Sequence, residues 1–300
     1  MKMKEVAAIV VTYNRLELLK ECIAALRGQT YKDVDIIIVN NGSTDGTKDY
    51  LDSQKDLIVI HQENCGGAGG FFTGMKYASE EGIKFCWIMD DDVICKPDAL
   101  SELVKAYNAK KDIGFVCSKV EGINGSAMNT PTVDTRVTSS GYACYYDLID
   151  KQMIKVRIAT FVSVFLPTSI IFEIGLPIKE FFIWGDDSEY TQRISKQRDC
   201  YMACKSIVVH KRAIQGSLNF FSETNEKRLS NYFYMFRNND YVALKDMSSK
   251  KKLKWLIRKS ILLLKLLLKF DFKRFKICWK AATALISFNP KIYYPNKSLR

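Results

Sequence analysis

The sequence predicts an α/β protein on a mostly parallel sheet, with helices gathered toward its C-terminal end. Two observations carry that reading. Short apolar runs rich in Val and Ile alternate with stretches of helical period over the first two-thirds of the chain. Strand-length apolar runs separated by helices mark a sheet buried on both faces. The polar clusters also fall where those runs end, at 12–15, 40–45, 64–70 and 90–92. Ligands of open parallel sheets sit outside the carboxyl ends of the strands.

In order, residues 6–12 form the first strand, followed by Tyr13-Asn14-Arg15. A helix then runs to about Gly28, with Leu16, Leu19, Cys22, Ile23 and Leu26 on one face. Residues 35–39 make a second strand, ending in a polar turn at 40–46. Residues 57–60 make the third, followed by a glycine-rich loop at 64–71 and a helix through Met75 and Ala78. The fourth strand, 84–89, ends in Asp90-Asp91-Asp92, and 113–117 is a fifth. The alternation implies a parallel sheet with right-handed crossovers. Residues 119–160 turn to Gly, Ser, Asn and Thr and read as small strands and loops at one edge. Residues 159–166 read as a strand, 167–169 as a turn, and 181–190 run into a helix ending near Lys196. A last strand at 206–209 ends at His210, and a Tyr-, Phe- and Asn-rich helix at 225–244 is expected to pack on the core.

Composition bounds the rest. The 300 residues suffice for one large or two small domains, and 47% hydrophobic content gives material for a sizeable core. Nine cysteines lack metal-type spacing; Cys200 and Cys204 have no second pair to complete a zinc site. The start Met1-Lys2-Met3-Lys4-Glu5 leads into a strand with no cleavable signal, so free thiols in the cytoplasm are expected. Net charge is +12, yet from Lys250 onward only Asp271 opposes the many Lys and Arg. The basic character belongs to the tail.

Three successive acids repel one another unless something positive lies among them. Side chains alternate along an extended chain, so Asp90 and Asp92 can share one target. A divalent cation carrying a diphosphate suits them, because hard cations take oxygen ligands; an acidic turn before the helix from Pro97 is the alternative. The glycines at 66–70 fit neither the dinucleotide fingerprint nor a P-loop. They could still bring amides, such as that of Gly67, close to an anion, or simply be flexible. Asn40 and Asn41 could read a base edge or close a turn. Asp186 and Asp187 could cap a helix. Equally, beside the flat Trp184 they could provide the base that an acceptor hydroxyl needs. His210 ends a strand as the other polar clusters do, and with Asp90 and Asp92 it would suit Mn2+ or Mg2+. His61 reads as structural.

The tail is separate chemistry. Lys254, Arg258, Lys265 and Lys269 share one stripe of a helix otherwise made of Leu, Ile, Trp and Phe. No run is long enough to span a bilayer. A basic amphipathic helix on an anionic membrane surface is expected, with a dimer interface or a core helix as alternatives. Nucleic acid is not an expected partner, since few aromatic side chains are interleaved with the cations.

With these residues in hand, the chain resembles an inverting glycosyltransferase of family 2 with a GT-A fold, whose Rossmann-like sheet matches the one read above. The resemblance covers about residues 4–215. It rests on Val11-Thr12-Tyr13-Asn14-Arg15, Asn41-Gly42-Ser43-Thr44-Asp45, Asn64 with its glycine loop, Asp90-Asp91-Asp92 and Trp184-Gly185-Asp186-Asp187. The glycine loop, the triple Asp, the Trp-x-Asp-Asp-x-Glu-Tyr pattern and the later His are most similar to galactofuranosyltransferases and related rhamnosyltransferases. The resemblance implies that Thr12, Tyr13, Arg15 and Asn41 hold the nucleotide, with Asn64 and Gly67 beside the donor. It implies that Asp90, Asp92 and His210 hold Mn2+ or Mg2+ and that Asp91 leans toward the donor sugar. Asp187 would be the base, with Asp186 and Trp184 shaping the acceptor site. A catalytic domain at 1–224, a packing helix at 225–249 and membrane-associating helices at 250–300 follow. So do a nucleotide-sugar donor, a lipid-linked glycan acceptor and a place on the inner face of the cell membrane. A non-catalytic sugar-nucleotide or glycan-binding module on a membrane is the rival reading.

Overall fold

The computed structural model describes residues 3–212, 218–245 and 247–296. Positions 1–2, 213–217, 246 and 297–300 of the three expected segments lie outside the described residues. The elements run β1 (Val6–Thr12), α1 (Leu16–Arg27), β2 (Val34–Asn40), α2 (Thr47–Asp52), β3 (Ile58–His61) and α3 (Gly66–Glu80). Next come β4 (Phe85–Asp90), β5 (Val93–Cys95), α4 (Ala99–Tyr107), β6 (Ile113–Glu121), β7 (Thr132–Val133) and β8 (Met153–Ile158). The chain continues through β9 (Val164–Pro167), α5 (Thr168–Ile174), α6 (Asp186–Ser195), β10 (Asp199–His210), α7 (Glu226–Lys245), α8 (Ser249–Leu268) and α9 (Phe272–Ser287).

The main sheet has the order β3-β2-β1-β4-β9-β6-β10-β8-β7. β1 pairs in parallel with β2 and β4, β2 with β3, and β10 with β6. The sheet is mostly parallel, as expected, but β9 runs antiparallel between β4 and β6. An apolar run reports burial but not direction, so this reversal was invisible in the sequence. The run read as a strand over 159–166 is extended only from Val164, and the turn expected at 167–169 is the start of α5. The last strand is far longer than 206–209; a register irregularity between Ala203 and Ile207 divides it.

Side chains alternate across the sheet into two cores. Val6, Ala8, Val10, Ile36, Ile38, Trp87 and Met89 meet Leu19, Ile23, Leu100 and Leu103 of α1 and α4. Ala7, Ile9, Val11, Ile37, Val39 and Ile88 meet Met75 of α3, Ile171 of α5 and Tyr190 of α6 on the other face. The expected glycine loop is in fact the first turns of α3. Glycine is a poor helix former, but here the close approach of α3 to the sheet requires it. A Cβ on Gly70 would lie 2.4 Å from Val11 Cγ1, and one on Gly74 2.4 Å from Ile9 Cγ2.

The helices α7, α8 and α9 build a third cluster, in which Leu229, Tyr232, Leu266 and Cys278 pack with Phe220 and Trp184. Asp240 on α7 anchors α8: it accepts from Trp255 Nε1 at 2.8 Å, and Lys259 Nζ lies 2.6 Å from its other oxygen. The chain then returns across the α/β body. Leu176 N donates to Tyr293 O at 2.8 Å, and Asn296 N to Glu80 Oε1 at 3.1 Å. No helix is long and apolar enough to cross a membrane among the described residues.

Candidate active site

Parallel pairing sets the carboxyl ends of β1, β2, β3 and β4 along one edge, so Thr12, Asn40, His61 and Asp90 end their strands together. β10 brings His210 there from the far side of β9. Its pairing with β5 places His210 opposite Val93, and Lys211 N donates to Asp92 O at 2.8 Å. Register alone thus delivers the histidine to the triple acid.

Asp90, Asp92 and His210 offer ligand atoms that all lie within 4.8 Å of one another. His210 Nδ1 stands 2.9 Å from Asn129 Oδ1. Nδ1 must be the donor in that contact, which leaves the Nε2 lone pair turned inward. Nε2 lies 3.0 Å from Asp92 Oδ1, a buried oxygen that lacks a well-aligned hydrogen bond. Two lone pairs at that separation need a proton or a cation between them. Imidazole and carboxylates, one with an unsatisfied buried oxygen, fit a divalent cation such as Mn2+ or Mg2+.

The electrostatics agree. Burial, reinforced by Asp92, pushes the Asp90 carboxyl up to about 7. Burial also raises Asp91 to about 6, against the pull of Arg15 and the Thr12 hydroxyl. For Asp92 burial is outweighed by His210 and Arg15, which hold it below the usual carboxylate range. Arg15 Nη1 lies 2.6 Å from Asp92 Oδ2 and 3.3 Å from Asp91 Oδ1. Burial alone would lower that guanidinium, yet the three acids hold it above its ordinary value. Thr12 Oγ1 donates to Asp91 Oδ2 at 2.7 Å, so Thr12, Arg15 and Asp91 form one brace.

Asn41 is buried and engaged with its own loop. Its Nδ2 donates to Gly66 O at 2.7 Å, and its Oδ1 accepts from Gln62 Nε2 at 2.8 Å. The Asx-type turn is made by Asn40, whose Oδ1 accepts from Ser43 N at 3.1 Å. Asn64 is exposed and caps Gly66 N at 2.9 Å. The amide of Ala68 in the first turn of α3 is taken by Phe182 O at 3.1 Å, and a Cβ on Gly67 would meet nothing within 4 Å.

Asp186 and Asp187 open α6 after Gly185, which takes φ +90°. Burial, with Asp187 beside it, pushes the Asp186 carboxyl up to about 8. Asp187 is also raised by burial, although Ser188 N donates to its Oδ1 at 2.6 Å. Trp184 packs edge-on against Tyr232 of α7, with ring centroids 5.2 Å apart. The first turn of α7 places Lys227 Nζ 5.3 Å from the Tyr13 ring centre, so one helix contacts both Tyr13 and Trp184.

Sequence reasoning missed Asn129, Gln62, and the Arg237-Asn238 pair that grips the 180–184 loop. Asn129 carried no periodic signal. Arg237-Asn238-Asn239-Asp240 did carry one: a polar quartet inside an aromatic helix needs buried partners.

Comparison with known proteins supports the same reading. An uncharacterised glycosyltransferase of Nostoc sp. is 29% identical over 139 residues, covering 45% of this chain and 41% of that one. The galactofuranosyltransferase GlfT1 of Mycolicibacterium smegmatis is 35% identical over 89 residues, 29% of this chain and 30% of that one. The chain thus spans less than half the length of these curated relatives. GalNAc-T7, solved with UDP, GalNAc and Mn2+, superposes with a TM-score of 0.60 at 14% identity, covering 80% of this chain and 47% of that one. That likeness shows the GT-A fold. Residues 7–161 match the glycosyl transferase family 2 profile, which spans more than half of the chain, and the protein belongs to that family.

Proposed function

We propose that the protein is a metal-dependent inverting glycosyltransferase. It moves a sugar from a nucleotide-sugar donor to a lipid-linked or polysaccharide acceptor in cell-surface glycan synthesis. The observation that carries this reading is the meeting of Asp90, Asp92 and His210 at the sheet edge, with ligand atoms within 4.8 Å. Galactofuranose from UDP-galactofuranose is the first donor, favoured by the stretch shared with a galactofuranosyltransferase. Rhamnose from dTDP-rhamnose is the second.

Tyr13, Arg15, Asn41, Asn64 and Gly67 border the nucleotide, and Asp91 faces the donor from its brace with Thr12 and Arg15. Asp90, Asp92 and His210 would hold Mn2+ or Mg2+, which supplies a Lewis acid for the departing nucleoside diphosphate. Asp187 takes the proton of the acceptor hydroxyl, with Asp186 and Trp184 shaping that side. The freed oxygen bonds to the anomeric carbon as the bond to the diphosphate breaks on the opposite face. The electron pair leaves with the diphosphate and the configuration inverts. The raised Asp187 carboxyl makes it a stronger base than a solvated carboxylate.

Residues 1–224 carry the chemistry, 225–249 the bordering helix and 250–300 the membrane contact on the inner face of the cell membrane. On α8, Leu253, Leu256, Ile257, Ile261, Leu264 and Leu268 are exposed at helical spacing. Lysines and Arg258 flank them, which suits an anionic lipid surface.

The test is a panel of nucleotide sugars with Mn2+ or Mg2+ and a lipid-linked acceptor, read by mass spectrometry. Transfer from one donor, lost on chelation, is expected. Asp187→Asn should lower kcat ~10²–10⁴-fold with donor affinity kept. Tight donor binding without turnover across the panel would instead make the protein a binding module.

A further inference from the structure

We infer that Arg237 and Asn238 of α7 are positioning residues that hold the acceptor-side loop in shape and so aim Asp186 and Asp187. The kinetic consequence rests on the role given above to those two acids.

The loop needs holding. Phe182 and Trp184 take φ +64° and +62°, and Gly185 follows at +90°. Left-handed backbone at two bulky aromatic residues persists only where the surroundings over-determine it. Asn238 supplies that constraint. Its Nδ2 lies 2.9 Å from Phe181 O, 3.2 Å from Ile183 O and 2.7 Å from Trp184 O. One buried amide thus gathers three carbonyls of a four-residue stretch. Its Oδ1 accepts from Arg237 Nε at 3.0 Å and Nη2 at 2.9 Å, which fixes which way the amide faces. Arg237 Nη2 also donates to Glu180 O at 2.7 Å, extending the grip to the start of the loop.

Both side chains are buried, Asn238 completely. The Phe288 ring, just past α9, lies 3.9 Å from the guanidinium carbon and covers it. The fit leaves no slack, because a Cβ on Gly185 would meet Asn238 Cβ at 3.3 Å and Asn239 Oδ1 at 3.2 Å. On its other side the loop touches α3, where Phe182 O lies where a Gly66 Cβ would stand. Asp186 begins α6 directly after this stretch, so the direction in which both carboxylates project follows from it. The C-terminal helical unit therefore acts together with the sheet, against which α6 packs through Tyr190 and Thr191, in setting the geometry of Asp186 and Asp187.

Asn238→Asp keeps the size of the side chain and removes its N–H donors. Asn238→Ala removes both, and Arg237→Lys keeps a charge and one donor for Glu180 O. Each full-length variant is examined by amide hydrogen exchange and by steady-state transfer. In both Asn238 variants exchange over 181–187 should quicken at least ~10-fold while β1 and β4 stay protected. kcat should fall at least ~100-fold with donor KM within about threefold. Arg237→Lys should recover to within ~10-fold of wild type. Unchanged exchange in Asn238→Asp overturns the inference, as does a kcat near wild type or a donor KM that worsens as much as kcat falls. A wild-type protein that transfers no sugar defeats the proposed function, while the exchange result still decides whether the pair holds the loop.

Discussion

His210 Nδ1 is bonded to Asn129 Oδ1 at 2.9 Å, and this contact turns the other ring nitrogen toward Asp92. Asn129 is itself at φ +46°, a conformation asparagine tolerates better than most residues. Removing the second partner of a ligating histidine typically weakens metal binding. Asn129→Ala should therefore raise the Mn2+ concentration needed for half-maximal activity by ~10–100-fold. Asn129→Asp, which keeps an acceptor, should raise it much less. Equal metal dependence in both variants would remove Asn129 from the site.

The buried Asp186 makes stability fall as pH rises. Its folded pKa, about 8, lies above the ordinary value of 3.8. Between those limits the folded state keeps a proton that the unfolded state has released, so raising pH favours unfolding. Asp186→Asn needs no proton. Its Tm should match wild type near pH 4 and exceed it by roughly 3–6 °C near pH 9. Parallel Tm curves over that range would show that the carboxyl is solvated.

The glycines of α3 differ in what surrounds them. Gly74→Ala pushes a methyl to 2.4 Å from Ile9 Cγ2 and should cost ~1–3 kcal/mol in denaturant unfolding. Gly67→Ala meets nothing within 4 Å and should be neutral or stabilise by up to ~1 kcal/mol, from better helix propensity. The reverse order of stabilities would contradict the contact of α3 with β1.

The proposed membrane docking can be tested without altering the strand-end site. Leu264 and Leu268 are 56% and 70% exposed, so charge there leaves the buried contacts of α8 in place. Leu264→Glu with Leu268→Glu should abolish flotation with anionic liposomes and leave the Tm within about 2 °C. Wild-type protein that fails to float, or floats equally with neutral lipid, would argue against an anionic surface.

The sequence made the sheet edge legible because strand ends announce themselves: Thr12, Asn40, Asp90 and His210 each close an apolar run. It also placed Asp186 and Asp187 at a helix start. The mostly parallel pairing was legible from the alternation, but the reversal of β9 between β4 and β6 was not. Nor was the local use of polar side chains. Asn41 clasps Gly66 and Gln62, and Arg15 bridges two acids, because tertiary distance decides which polar group is nearest. The glycine cluster misled for a related reason. Its flexibility in isolation is replaced by a helix once β1 offers a surface that only a bare Cα can approach.

Among the described residues the C-terminal segment is fastened to the α/β body at more than one place, including α7 against the 180–184 loop and Tyr293 against Leu176. A module joined by one flexible linker sweeps a cone, and its working end meets targets over a range of distances. A bracket with two fixings does not. Were α8 and α9 to dock on a lipid surface as proposed, the height of Trp184 above it would be a constant of the fold. Such a fixed standoff would select acceptors by how far their reactive hydroxyl projects, as a ruler selects by length.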